Sequence, residues 1–212
     1  MNILICIPTY NEMIHSKLCM NLLSLNELKI PFTVKFLCGS LIPRLRNQFL
    51  TFFYDHQEYT HLLFIDADMF DFDKTLVQMI WSKKDVIGGV YRKKMKTEEY
   101  NICTFDYGID HSDPYPEVKY LATGLLMISR QAVQNLINKY PENTYQDRGK
   151  RYFDFFMCGI VNDRYLSEDF GFCELYRGTG GSVYCVLDSE ITHHGIMNYR
   201  GNFKEYILKI KS

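Results

Sequence analysis

The chain has 212 residues and a formal net charge of -1, with 47% hydrophobic and 23% charged residues. That composition excludes an intrinsically disordered chain, and the charge balance excludes nucleic-acid binding through a basic surface. At about 100–200 residues per domain, the length predicts one domain over 1–212. In chain order, Asn2–Ile7 is an apolar run stopped by Pro8 and predicts a buried strand. Glu12–Leu28 carries Leu18, Leu22, Leu25 and Leu28 at helical spacing and is closed by Pro31. Phe32–Leu37 predicts a second strand, followed by Gly39-Ser40. Arg44–Tyr54 predicts a helix after Pro43, with Leu45, Phe49, Leu50 and Phe53 on one face. His61–Ile65 is a third strand, Lys74–Trp81 a helix and Asp85–Val90 a fourth strand. Past residue 95 the pattern loosens. Glu98–Tyr107 and Glu117–Ile128 read as strands, Gln131–Lys139 as a helix and Tyr140–Arg151 as a polar loop. Ser167–Arg177 is helical, Val183–Leu187 a short strand and Phe203–Ile210 a terminal helix.

Alternating strands and helices define an α/β chain with a mostly parallel central sheet flanked by helices. Such sheets bind ligands at the carboxyl ends of their strands. Pro8–Asn11, Gly39-Ser40, Asp66–Asp68 and Tyr91–Lys94 are therefore expected along one rim. Residues 1–95 read as a nucleotide-binding half and 96–212 as an acceptor-binding half with mixed strands. Seven cysteines form no Cys-x-x-Cys pair, so zinc-ribbon and thioredoxin-type readings fail and free thiols in a reducing compartment are expected. The apolar run at the start ends at Pro8, too short for a signal-peptide core, and no stretch approaches a membrane span. The expected location is cytoplasmic.

The sharpest motif is the apolar strand running into Asp66-Ala67-Asp68. Positions i and i+2 of a regular strand face one side, so the two acids can converge on a hard divalent cation that also binds diphosphate oxygens. Such a cation offsets charge on a departing phosphate. Pro8-Thr9-Tyr10-Asn11 after strand one, Asp66-Ala67-Asp68 after strand three and Ser167-Glu168-Asp169 later resemble the GT-A glycosyltransferases, and the order matches over nearly the whole chain. With the run Gly88–Lys94, the chain resembles a small chlorella-virus-encoded glycosyltransferase domain, which implies host cytoplasm.

The resemblance implies roles. Pro8, Thr9, Tyr10 and Asn11 would hold the uracil and ribose of a UDP-sugar, with the Tyr10 ring available for stacking. Asp66 and Ala67 would border the ribose, Asp66 reaching it or the metal. Asp68 and His193, the latter in a His-x-Gly segment, would ligate the metal. A carboxylate–imidazole set favours Mn2+, with Mg2+ a weaker substitute. Arg44 or Arg46 would meet the donor or a phosphate, and Arg92 would hold the diphosphate. Ala122-Thr123-Gly124 would border the donor sugar. Asp169 would be the general base on a glycan or other hydroxyl acceptor, with Glu168 as the alternative, giving inversion at the anomeric carbon. One departure is Leu37-Cys38-Gly39-Ser40, which lacks the acid that many such enzymes use to read uracil. Further domains can follow Ser212. Two other classes stay open: a haloacid-dehalogenase-like phosphatase using the same two acids, and a non-catalytic nucleotide-sugar or glycan-binding module. The phosphatase pattern usually has Thr or Val where Phe70 stands. No Gly-x-Ser-x-Gly elbow or Gly-x-Gly-x-x-Gly loop occurs, against a serine hydrolase or a nicotinamide enzyme.

Overall fold

The computed structural model describes residues 1–161 and 163–210. Asn162, Lys211 and Ser212 lie outside the described residues. The strands are β1 (Ile3–Thr9), β2 (Phe32–Cys38), β3 (His61–Ile65), β4 (Met69–Phe70), β5 (Val86–Gly89), β6 (Ile102–Cys103), β7 (Glu117–Val118), β8 (Tyr120–Leu121), β9 (Leu125–Ser129), β10 (Thr144–Asp147), β11 (Lys150–Phe153), β12 (Gly159–Val161), β13 (Arg164–Leu166), β14 (Val183–Val186), β15 (Thr192–His194) and β16 (Asn198–Tyr199). The helices are α1 (Ser16–Ser24), α2 (Ile42–Asp55), α3 (Asp73–Ser82), α4 (Arg130–Lys139), α5 (Glu168–Gly178) and α6 (Phe203–Ile210), with a 3-10 turn at Leu25–Leu28 after α1.

Seven strands form the main sheet in the order β2-β1-β3-β9-β5-β14-β7. β2, β1, β3, β5 and β14 point one way, while β9 and β7 run antiparallel to their neighbours. This is a mixed α/β domain with a mainly parallel sheet flanked by helices, consistent with a Rossmann-like GT-A fold. β1 is buried along its whole length, as a central parallel strand covered on both faces must be. Its side chains alternate between two cores. Leu4 and Cys6 pack with Leu62 and Phe64 beneath α2, α4 and α5. Ile3, Ile5 and Ile7 pack with Leu63 and Ile65 beneath α1 and α3.

Four expected elements differ. The helix expected from Glu12 begins at Ser16, because Asn11 turns its side chain back on the Met13 amide and Glu12 adopts φ 60°, leaving His15 as the cap. The expected strand Glu117–Ile128 is broken into β7, β8 and β9 by Lys119 and by the small-residue step at 122–124. β9 inserts between β3 and β5, so the third and fourth strands are not neighbours. Its five residues are all buried, which fits a central position and no other. The expected strand Glu98–Tyr107 shrinks to β6. The expected polar loop at 140–151 is a hairpin, β10–β11, turned by Arg148 (φ 49°) and Gly149 (φ 79°), the two left-handed residues that a tight hairpin turn requires. Among the described residues, no helix is long and apolar enough to cross a membrane.

Candidate active site

The carboxyl ends of β1 and β3 open onto a cavity of about 680 Å³, within the size range of small-molecule sites. Pro8, Tyr10 and Asn11 line it from the end of β1, Ile42 and Arg46 from α2, and Asp66, Ala67 and Asp68 from the turn after β3. Glu168 enters from the start of α5, and His193 and His194 from β15. Short antiparallel pairing of β15 with β4 sets His193 opposite Met69, directly after the acidic turn. The His194 amide donates to the Asp68 carbonyl at 2.9 Å, fixing that approach.

Two electrostatic groups share the cavity. In the first, Arg46 is buried and donates to Asp66 Oδ1 at 2.9 Å, while its Nε lies 3.6 Å from Glu168 Oε1. Burial opposes the Arg46 charge, but Asp66 and then Glu168 outweigh it and raise its pKa. Burial likewise pushes the Glu168 carboxyl above its ordinary range, with Arg46 pulling it back and Asp169 adding to the rise. Asn47, next along α2, clamps the backbone amides of Phe155 and Phe156 at 3.0 and 2.9 Å, which holds this turn of the helix in place.

In the second group, Asp68 Oδ1 lies 3.7 Å from His193 Nε2, and Asp68 Oδ2 accepts a hydrogen bond from Lys94. His193 Nδ1 is 3.0 Å from the Arg92 carbonyl, so the proton sits on Nδ1 and the Nε2 lone pair faces Asp68. Burial is the main cause that lowers the His193 pKa, so the neutral imidazole prevails. Carboxylate plus neutral imidazole is a donor pair that fits Mn2+. Among the described residues, no group of three or more His, Cys, Asp or Glu could hold a metal.

Several expected positions are placed elsewhere. Asp66 does not join Asp68 and His193, because β3 ends at Ile65 and residues 66–69 form a turn, where strand alternation no longer applies. Its carboxylate goes to Arg46 instead. Thr9 faces the opposite side of β1 from Pro8 and Tyr10. It is buried, bonds the Leu37 carbonyl at 3.3 Å and lines a separate recess with Phe36 and Cys38. Arg44 and Arg46 are two residues apart on a helix, so they cannot share a face. Arg44 is exposed and lines a different recess, with Gly39, Ser40 and Arg148. The Arg92 guanidinium donates to the Lys96 carbonyl, away from the cavity, and Lys94 is the cation that reaches Asp68. Asp169 is absent from the cavity lining. Its Oδ1 accepts from Ser167 Oγ and from the Phe170 amide, while Glu168 turns inward. Of the segments expected along one rim, Pro8, Tyr10, Asn11 and Asp66–Asp68 line this cavity, while Gly39-Ser40 lies beside the end of β1, the Gly39 amide donating to the Thr9 carbonyl at 2.9 Å, and borders the neighbouring recess.

Ala122, Thr123 and Gly124 are buried and form the floor below the site rather than its wall. The Gly124 carbonyl accepts from the Asp66 amide at 3.0 Å, and its amide donates to Tyr91 Oη at 3.0 Å. A Cβ at Gly124 would lie 2.4 Å from Tyr91 Oη. Gly124→Ala is therefore expected to destabilise the chain by about 1–3 kcal/mol, read as a lower urea midpoint at unchanged slope. An unchanged midpoint would mean that Tyr91 can move aside freely.

Sequence reasoning chose Arg92 rather than Lys94 within the rim run Tyr91–Lys94, and it missed the Arg46–Asp66–Glu168 bridge. It also missed an aromatic layer at the cavity edge. His15 stacks on Phe70 with ring centroids 4.6 Å apart and lies 4.4 Å from His194. The signal in the sequence for the bridge is the place of Arg46 in the apolar stretch of α2, amid Leu45, Phe49 and Leu50. A buried arginine in that stripe needs an acid opposite it.

No family model matches the sequence, and no curated protein matches it. Among solved structures, the chain is similar to A197 from STIV at 18% identity and a TM-score of 0.60, over 92% of this chain and 86% of that one. It also aligns with S. aureus TarS 1–349 at 13% identity and a TM-score of 0.46, over 99% of this chain and 63% of that one. A glycosyltransferase involved in the glycosylation of the major capsid of PBCV-1 aligns at 12% identity and a TM-score of 0.37, over 68% and 71% of the two chains. The likeness to A197 is one of fold.

Proposed function

We propose that the chain is a metal-dependent glycosyltransferase that moves a sugar from a UDP-sugar to a hydroxyl group of a glycan or other acceptor, with inversion. The observation that carries this reading is one open cavity holding two separate functions. Asp68 with His193 offers a carboxylate–imidazole pair for a cation, and Glu168 beside the buried Arg46 offers a half-buried carboxylate whose pKa is raised. Tyr10, exposed at the cavity edge, presents a ring on which a base can stack. Asp68 and His193 would hold Mn2+, which when bound supplies positive charge for the diphosphate leaving group. Glu168 is then the preferred base for the acceptor hydroxyl, replacing Asp169, because it lines the cavity. Arg46 keeps that base oriented, and its bond to Asp66 leaves Asp66 as a brace rather than a metal ligand. With Asp66 bonded to Arg46 at 2.9 Å, it is also poorly placed as the nucleophile of a phosphatase.

The test is a thermal-shift screen of nucleotide sugars with Mn2+, Mg2+ or EDTA, followed by release of UDP from the hits. Stabilisation by UDP-sugars that depends on Mn2+ is the expected result. Phosphate release without any sugar nucleotide would favour the phosphatase reading, and binding without turnover the binding module.

A further inference from the structure

The carboxylate best placed for a metal is already bonded to a cation of the chain itself. Lys94 donates to Asp68 Oδ2, on the opposite oxygen from His193. The lysine gets there by crossing bare backbone. A Cβ on Gly195 would lie 3.1 Å from Lys94 Cδ, so a side chain at 195 would crowd the path. Lys94 is 37% exposed in its side chain and sits on a flexible four-carbon stem, so it can leave Asp68 without disturbing the core. An ammonium and a divalent cation on one carboxylate repel each other, so each displaces the other.

Resting on the metal reading above, we infer that Lys94 is a tethered counter-cation. It holds Asp68 while no donor is bound, and it moves to the donor diphosphate when a metal takes Asp68. A free metal ion must displace the lysine with nothing to receive its charge. A metal arriving with a diphosphate gives the ammonium a new anionic partner. Metal and nucleotide therefore bind as a unit, and the metal alone binds weakly.

The experiment measures Mn2+ binding to the whole chain from loss of the free-ion EPR signal, without nucleotide, and UDP binding by calorimetry with Mn2+ or EDTA. Lys94→Met is expected to bind free Mn2+ about five-fold more tightly than the wild type, and UDP with Mn2+ about five-fold more weakly. Lys94→Arg, which keeps the charge, is expected to keep the weak free-metal binding. Unchanged free-Mn2+ affinity in Lys94→Met, with Mn2+ binding lost in Asp68→Asn, would overturn the inference and leave the metal site standing. Absence of Mn2+ binding in every variant, with and without UDP, would overturn the metal reading and the inference with it. UDP binding that is equal in Mn2+ and EDTA but lost in Lys94→Met would assign the diphosphate to the lysine alone and overturn the exchange.

Discussion

Asp68→Asn is expected to lower Mn2+-dependent transfer by about a hundred-fold or more and to remove the rise in UDP affinity that Mn2+ gives. The substitution keeps the shape of the side chain and removes its charge. His193 Nε2, 3.7 Å from the carboxylate, is then left as a single neutral donor, which holds a divalent ion poorly. The fold is expected to survive. Asp68 is a partly exposed residue whose ion pair with Lys94 contributes at most about 1 kcal/mol to stability. Lys94 loses its partner in this variant and remains free to meet a diphosphate, so weak UDP binding that ignores metal is the expected residue of activity. Calorimetry of UDP with Mn2+ and with EDTA, on wild type and variant, measures both effects. If Asp68→Asn keeps the full Mn2+ stimulation, the cation is held elsewhere. His193→Gln is expected to lose less than Asp68→Asn, because a neutral ligand is replaced by another neutral group.

The middle of the sheet was legible because β1, β3 and β5 are almost wholly apolar and buried, and continuous apolar runs of that length leave few other structures. The apolar run His61–Ile65 coincides with β3 at both ends. The order of the strands was harder. Nothing in Leu125–Ser129 says that it runs antiparallel between β3 and β5, since a strand buried on both faces carries no mark of its direction. In the site, residue type was legible and orientation was not. The two acids at 66 and 68 are legible, but their separation into an arginine bridge and a lysine contact depends on the turn over residues 66–69, which alternation rules do not cover. Glu168 and Asp169 differ by one position at a helix start, about 100° of rotation, and only coordinates show which one faces the cavity. Arg92 looked the better diphosphate ligand for its planar fork, yet the side chain that reaches Asp68 is Lys94, whose route depends on a glycine about a hundred residues away.

Glu168→Gln is expected to cut the transfer rate by about 10²–10⁴-fold while leaving UDP affinity within two-fold of the wild type. A base must be ionised to take the acceptor proton. Glu168 has its carboxyl raised above the ordinary glutamate value of 4.5, first by burial. The rate should therefore fall as pH drops through a midpoint above that value, and this acidic limb should disappear in the glutamine variant. At higher pH the carboxylate is fully charged and the rate is flat. The glutamine variant separates this limb from protonation of His193, whose pKa burial lowers from the ordinary imidazole value. Glutamine keeps the side-chain length, and Arg46 keeps its 2.9 Å bond to Asp66, so folding measured by circular dichroism should be unchanged apart from a small loss of stability. Asp169→Asn is the matched comparison. The Asp169 carboxylate is engaged with Ser167 and the Phe170 amide at the start of α5, so its loss should weaken the helix start and leave most of the transfer rate. The reverse pattern, with transfer lost in Asp169→Asn and kept in Glu168→Gln, would return the base to Asp169 and require the first turn of α5 to rotate when the acceptor binds.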